Sequence, residues 1–225
     1  MNAFIDKLIQ SPKRRDAMSS DHATSIYGVE GQKELDDELT RIDPSISAEE
    51  LFAGFCSNRV SARAFGELAG SRLVDAHWLK GELSAAVDGR DWCSLSMLLS
   101  FVPNVDDPDI DLILGKALRL SFDQVLTANH QSAWGTPEMI VDALSKADSA
   151  KNNPRVVPDL VYVCKLPPDV PQEWYLDYRK AIDAIRRTTA MPKAARIEVL
   201  RTLLDCEVDY YVQEAIDLLL KESTP

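Results

Sequence analysis

The stretch LSMLLSFVPNVDDPDIDLILGKAL, residues 95–118, decides the fold. Its first half places leucines and Val102 at helical spacing and ends at Pro103, which cannot continue a helix interior. An acidic turn, NVDDPD, follows, and a second apolar set begins at Ile110. The spacing therefore predicts helices over about 92–102 and 109–120, joined as an antiparallel hairpin.

The same pattern returns without gaps in IEVLRTLLDCEVDYYVQEAIDLLL, residues 197–220, at an offset of 102 residues. This offset equals about three units of 34 residues, a period typical of helix-pair repeats. It predicts a second hairpin over 193–204 and 209–221, which superposes on the first with Asp107 over Asp209. Each aspartate is expected to cap its second helix, because a carboxylate accepts from a free first-turn N–H and complements the helix dipole.

The segment LLDCEVDYYVQEAIDLLL, residues 203–220, resembles a HEAT repeat: an acidic turn, then a valine, then paired small and large apolar residues. The resemblance is good over about 25 C-terminal residues and fair over 95–118. It implies an all-α protein in which stacked helical hairpins form an α-α superhelix, because one hairpin cannot bury its apolar stripe alone. The expected organisation is a helical N-terminal region, 1–90, followed by a HEAT-like region, 91–225, or one continuous domain.

Other helices are predicted from local signals. Ser47 and Glu50 form a capping box before an apolar run. Thr136 is expected to cap another helix, with Pro137 at its first helical position and Glu138 in its first turn. Apolar periodicity predicts further helices over 32–42, 61–73, 75–87 and 209–221, the last with Leu219 and Leu220 in its apolar stripe. Residues 155–166 are rich in valine, which favours a strand, but their helical neighbours favour a buried helix.

Composition narrows the function classes. The formal net charge is −11, with a pI near 4.8, so the surface repels nucleic-acid phosphates and favours basic partners, or serves solubility alone. The four cysteines lie far apart without a CxxC pair, which predicts small core residues in a reducing compartment rather than zinc ligands or disulfides. With neither a signal-peptide pattern nor a long apolar run, the sequence predicts a cytoplasmic protein without a membrane span.

Familiar catalytic patterns do not occur: the chain lacks GxxxxGK[ST], GxGxxG, HExxH and GxSxG, and its three histidines are dispersed. Asp107, Asp109 and Asp111 have the D-x-D-x-D spacing with which a calcium-binding loop begins. However, the positions that need glycine and glutamate hold Leu112 and Leu118. We therefore expect no catalytic residues, no metal and no cofactor.

The candidate site is a protein-binding surface of acidic helix starts and aromatic side chains. Tyr210 and Tyr211 are adjacent, so on a helix at least one is expected to be exposed, and tyrosine and tryptophan are common at interfaces. The predicted partner-binding residues are Asp107, Asp109, Asp111, Trp174, Asp209, Tyr210 and Tyr211.

In size, charge and helical style the chain is similar to bacterial immunity proteins. The resemblance implies an inhibitor that occludes a basic toxin or effector domain. The alternatives are a helical-repeat adaptor in a larger assembly and, third, an enzyme with an unrecognised helical active site.

Overall fold

The computed structural model describes residues 28–128, 133, 135–165, 178–206 and 209–222. Within these ranges the chain forms helices, turns and loops, with no strand. The predicted all-α class is therefore confirmed. The valine-rich segment is also helical: a 3₁₀ turn, Pro154–Val156, leads into a helix of which Val157, Leu160 and Val163 are buried.

The chain divides into two compact units, Met1–Ile46 and Ser47–Pro225. In the first, the structure describes helix α1, Gly28–Arg41, and the turn after it. The sequence-based boundary at residue 90 falls inside the second unit, where the helices on either side of it pack against each other.

The second unit begins with α2 (Ala48–Cys56), α3 (Ala62–Ala69), α4 (Ala76–Gly89) and α5 (Trp92–Leu98), the last continued by a 3₁₀ helix, Leu99–Asn104. It continues with α6 (Pro108–Ala128), α7 (Thr136–Lys146), α8 (Asp148–Lys151) and α9 (Val157–Cys164). Then come α10 (Tyr178–Arg187), α11 (Lys193–Arg201) and α12 (Asp209–Lys221). The two predicted helix pairs are thus separate helices. Their bounds differ: α5 turns to 3₁₀ before Pro103, and α6 begins one residue earlier and ends eight residues later than predicted.

Side-chain caps fix several helix starts. Ser47 and Glu50 form the predicted capping box, and the carboxylates of Asp75 and Asp91 accept from backbone N–H groups in the first turns of α4 and α5. The predicted threonine cap of α7 is wrong. Thr136 is the first helical residue, and Gly135 occupies the cap with φ of 76°, a left-handed conformation that suits glycine.

Helices α4, α6 and α9 lie side by side in the same direction. Lys80 reaches the start of α6, while Asp88, eight residues later, bonds to Lys116. Next along, Asn153 just before α9 bonds to Asp111 in the first turn of α6, and the Tyr162 hydroxyl donates to Asp123 near its other end. These three helices form one layer of the unit.

Helices α7, α10 and α12 form a second layer, again with parallel neighbours. Lys180 in the first turn of α10 lies 3.2 Å from Asp142, and Leu144 of α7 lines a small cavity with Ala184 of α10. At the far end of α10, Arg186 lies 3.1 Å from Glu222, which follows α12. Because α8 directly follows α7 and contacts α6 near its start, the two layers run antiparallel.

The core lies between these layers and continues towards the N-terminal side of the unit through an aromatic cluster. Phe65 and Phe101 pack edge to face with ring centroids 5.3 Å apart, and Phe52 and Trp78 join them. Of the cysteines, Cys164 is buried, whereas Cys56 is exposed, so the prediction of a core cysteine is wrong there. Cys56 is the last residue of α2 and does not belong to the buried face of that helix, which consists of Ala48, Leu51, Phe52 and Gly54.

Candidate functional site

Asp107 and Asp109 lie at the start of α6, where both engage Lys80. The Lys80 amine is 3.2 Å from Asp107 and 3.3 Å from Asp109, and these hydrogen bonds raise the pKa of Lys80 above its usual range. The Asp107 carboxylate also accepts from the backbone N–H of Asp109 at 2.9 Å, as a cap should. The predicted capping contact is therefore present, and much of this negative charge is neutralised within the chain.

Asp111 does not contribute to an accessible acidic surface. Its side chain has no exposed area, and it accepts a hydrogen bond of 3.3 Å from the Asn153 amide, which also donates to the Pro108 carbonyl. The expectation that Asp111 faces a partner is corrected, because the residue joins α6 to the segment before α9. A carboxylate buried in this way serves packing rather than docking.

The tyrosines lie at the opposite edge of the helices from these aspartates. Thr189, just after α10, donates to the carbonyl of Lys151, close to Asn153 and hence to the start of α6. Arg179, at the other end of α10, lies 5.7 Å from the centre of the Tyr211 ring. The length of α10, about 15 Å at 1.5 Å per residue, separates the two groups. The structure thus does not unite the predicted surface.

Trp174 lies outside the described residues, and so does the side chain of Asp209, although its backbone begins α12 as predicted. The superposition of Asp107 on Asp209 stays a prediction for the same reason.

Helix α12 presents the densest exposed apolar surface in the described part of the chain. Seven large apolar or aromatic side chains are exposed there, and four of them belong to this one helix: Tyr210 (72%), Tyr211 (37%), Leu218 (44%) and Leu220 (60%). The expectation that at least one tyrosine is exposed is confirmed for both. Their rings are 5.5 Å apart and nearly perpendicular.

The two leucines were not predicted to be exposed. Leu220 was placed in the apolar stripe with Val212 and Ile216, which are buried. The exposure of Leu220 could have been predicted from helix geometry. At 100° per residue, Leu220 lies about 80° around the helix from Val212 and therefore off the centre of the apolar stripe. Exposed acidic residues lie on α12 or next to it in the sequence, namely Asp205, Glu214, Asp217 and Glu222.

A groove of about 590 Å³ runs between α3, the α5 segment and α7. Its walls include Gly66, Ser96 and Met139, and its charged residues are already paired: Lys180 contacts Glu138 and Asp142, and Lys146 contacts Asp142. Desolvation alone would raise the pKa of Asp142, but hydrogen bonds from Lys146 and Lys180 outweigh it and lower the pKa below its usual value. A carboxyl in this state is a poor general acid near neutral pH.

Cysteine and metal chemistry receive no support from the described geometry. Burial and the neighbouring Cys206 raise the pKa of Cys164 to about 12, which keeps this thiol protonated. Among residues 28–128, 133, 135–165, 178–206 and 209–222, no three His, Cys, Asp or Glu side chains are grouped to hold a metal ion. Within the same ranges, every helix is too short or too polar to cross a membrane.

No protein-family model matches this chain, and neither a curated protein nor a solved structure matches it.

Proposed function

We propose that this chain is a protein-binding inhibitor, an immunity protein that neutralises a cognate toxin by occluding it, with α12 at the contact surface. The two exposed tyrosines and two exposed leucines on α12 are the observation that carries the proposal. Exposed apolar surface bordered by polar residues is typical of protein interaction sites, and tyrosine is enriched where binding energy concentrates.

Charge supports a basic partner. Beside these side chains, α12 carries the exposed carboxylates of Glu214 and Asp217, and Asp205 precedes the helix, in a chain of net charge −11. Complementary charge increases the association rate and orients the encounter, while desolvated aromatic contacts slow dissociation. A second acidic copy of the same surface would instead be repelled.

The stacked architecture suits this role. Parallel neighbours within each of two antiparallel layers are what an α-α superhelix of HEAT-like hairpins would produce, and such stacks bind partners along exposed helix faces. In this proposal, the helices around α6 supply rigidity and the helix at the end of the α7–α10–α12 layer supplies the contact.

The test is co-expression with the product of the neighbouring gene, read out as host survival and as a complex by isothermal titration calorimetry. We expect survival to require this chain and to fall when Tyr210 and Tyr211 are both changed to alanine. Leu73→Ala is the matched control, because Leu73 is a highly exposed leucine away from α12.

A non-toxic neighbouring product that forms a stable complex would contradict inhibition and favour the adaptor role. Loss of rescue with Leu73→Ala to the same extent as with the tyrosine variant would place the contact elsewhere. Far-UV circular dichroism of each variant, compared with the unmodified chain, shows that the helices are retained.

A further inference from the structure

We infer that the occupant of the α12 surface is a basic α-helix of the partner, whose arginine stacks on Tyr210 while further basic residues pair with Glu214 and Asp217. This inference rests on the proposed function and names the recognition chemistry of the same site.

Tyr210, Glu214, Asp217 and Lys221 form one exposed stripe, in which the two carboxylates lie between the tyrosine and the lysine. They occupy positions i, i+4, i+7 and i+11, so they lie on one side of the helix, and all four are exposed. The buried side, with Val212, Ala215, Ile216 and Leu219, faces α10 and α11. The stripe therefore points away from the rest of the described unit.

Apolar side chains flank this stripe on both shoulders of the helix. Tyr211 and Leu218 lie on one shoulder, seven positions apart, and Leu220 lies on the other. The exposed side of α12 is about 16 Å long from Tyr210 to Lys221, at 1.5 Å per residue, which matches three turns of a partner helix. Ridges of side chains at i and i+4 pack into the grooves of a facing helix.

The chain itself shows the preferred ligand of these rings. Arg179 of α10 lies 5.7 Å from the centre of the Tyr211 ring, a cation–π distance, and Tyr210 stands edge to face with Tyr211 while remaining the most exposed of the four apolar residues on α12. An arginine from the partner finds an aromatic face at Tyr210 and carboxylates one and two turns further along the helix. Arginine fits better than lysine because its planar guanidinium stacks and also binds carboxylates through two N–H groups.

The experiment uses the full chain and two synthetic helical peptides of about 18 residues, or about five turns. One carries arginines at i, i+4 and i+7 beside a row of leucines, and the other carries glutamates in place of the arginines. We expect the arginine peptide to bind and the glutamate peptide not to bind. Raising NaCl from about 0.05 M to about 0.5 M should weaken the binding, because salt screens exposed charge pairs.

Variants locate the contact. Tyr210→Ala should raise the Kd of the arginine peptide by about three- to fivefold, as expected for loss of an exposed cation–π contact, while Tyr210→Phe keeps the ring and changes the Kd little. Glu214→Lys should weaken binding further than its matched control Glu67→Lys, an exposed glutamate on α3. Circular dichroism of each variant reports retained helix.

The inference is overturned if the arginine peptide binds no more tightly than the glutamate peptide, or if Tyr210→Ala and Glu67→Lys have equal effects. Peptide recognition at Tyr210 without rescue from a neighbouring toxin would reject the immunity role alone. Rescue that persists in Tyr210→Ala, with peptide binding unchanged, would reject the recognition chemistry alone.

Discussion

Helices α6 and α12 carry aligned apolar patterns but have very different surroundings. In the described part of the chain, α6 packs against α4, α7 and α9, whereas α12 packs against α10 and α11. Leu118 of α6 has no exposed area, but Leu220, at the aligned position of α12, is 60% exposed. Periodicity selects the side of a helix that faces a neighbour, and the number of neighbours decides how far around the helix burial extends.

The aligned leucines give the largest expected contrast. Leu118→Ala should lower the free energy of unfolding by about 2–5 kcal/mol, because it leaves a cavity between layers. Leu220→Ala should change it by less than about 0.5 kcal/mol, since the side chain is mostly in water. Urea unfolding followed by circular dichroism measures both. Equal losses of unfolding free energy in the two variants would mean that Leu220 of α12 is as completely buried as Leu118 of α6.

The aspartates at the start of α6 sharpen the comparison within one helix. Asp111→Ala should cost about 1–3 kcal/mol of unfolding free energy, because an amide N–H of buried Asn153 loses its acceptor. Asp109→Ala should cost less than about 1 kcal/mol, because this carboxylate is exposed and Asp107 retains Lys80. Chemical denaturation of the two variants side by side decides the ranking. An Asp109→Ala loss as large as that of Asp111→Ala would refute the distinction.

Gly115 tests how closely α6 and α9 approach. A Cβ at this position would overlap the Asp159 carboxylate, which pairs with Arg119, whereas the aligned residue of α12 is the exposed Asp217. Gly115→Ala should therefore destabilise the chain. In an Asp159→Ala background it should instead stabilise by up to about 1 kcal/mol, the usual helix preference for alanine over glycine. A double-mutant cycle from urea unfolding measures the coupling, and additive effects would contradict the close approach.

Lys80 gives the smallest expected effect, and it depends on pH. Hydrogen bonds to Asp107 and Asp109 raise the pKa of Lys80 in the folded state. A raised folded-state pKa means that the stabilisation is complete below the unfolded value, about 10.4, and is lost as pH rises through the folded value. Lys80→Met should thus be slightly less stable than the unmodified chain at about pH 8, and the difference should shrink towards about pH 11.5. Thermal melts at both pH values test this, and a constant difference would exclude the ion pairs as its cause.

Much of the fold could be predicted because local signals and periodicity agree. Ser47 with Glu50, and the apolar spacing after Asp209, placed helix starts correctly because capping and amphipathicity act within a few residues. The valine-rich helix α9 was recovered from its neighbours against its own propensity. The cap of α7 was assigned to the wrong residue, because Gly135 adopts a left-handed conformation and occupies the cap position before Thr136. The order of residue types does not reveal this backbone conformation.

The site was harder to predict because it depends on which helix ends meet. Tyr210 and Tyr211 could be expected at the surface from adjacency alone. The burial of Asp111 could not, because its partner Asn153 lies 42 residues away and only the packing of α9 on α6 brings them together. The separation of the aspartates from the tyrosines likewise follows from the directions of α6, α10 and α12, which residue spacing does not specify.

The parallel-neighbour layers also affect how the chain acquires its structure. Side-chain hydrogen bonds that join helices of the second unit, such as the one from Asn153 to the carbonyl of Pro108, span a few tens of positions, 45 in this case. Contacts of such limited range favour rapid folding, because little chain entropy is lost before each contact forms. As the polypeptide leaves the ribosome, α12 can pack as soon as it emerges, because its neighbours α10 and α11 precede it in the chain.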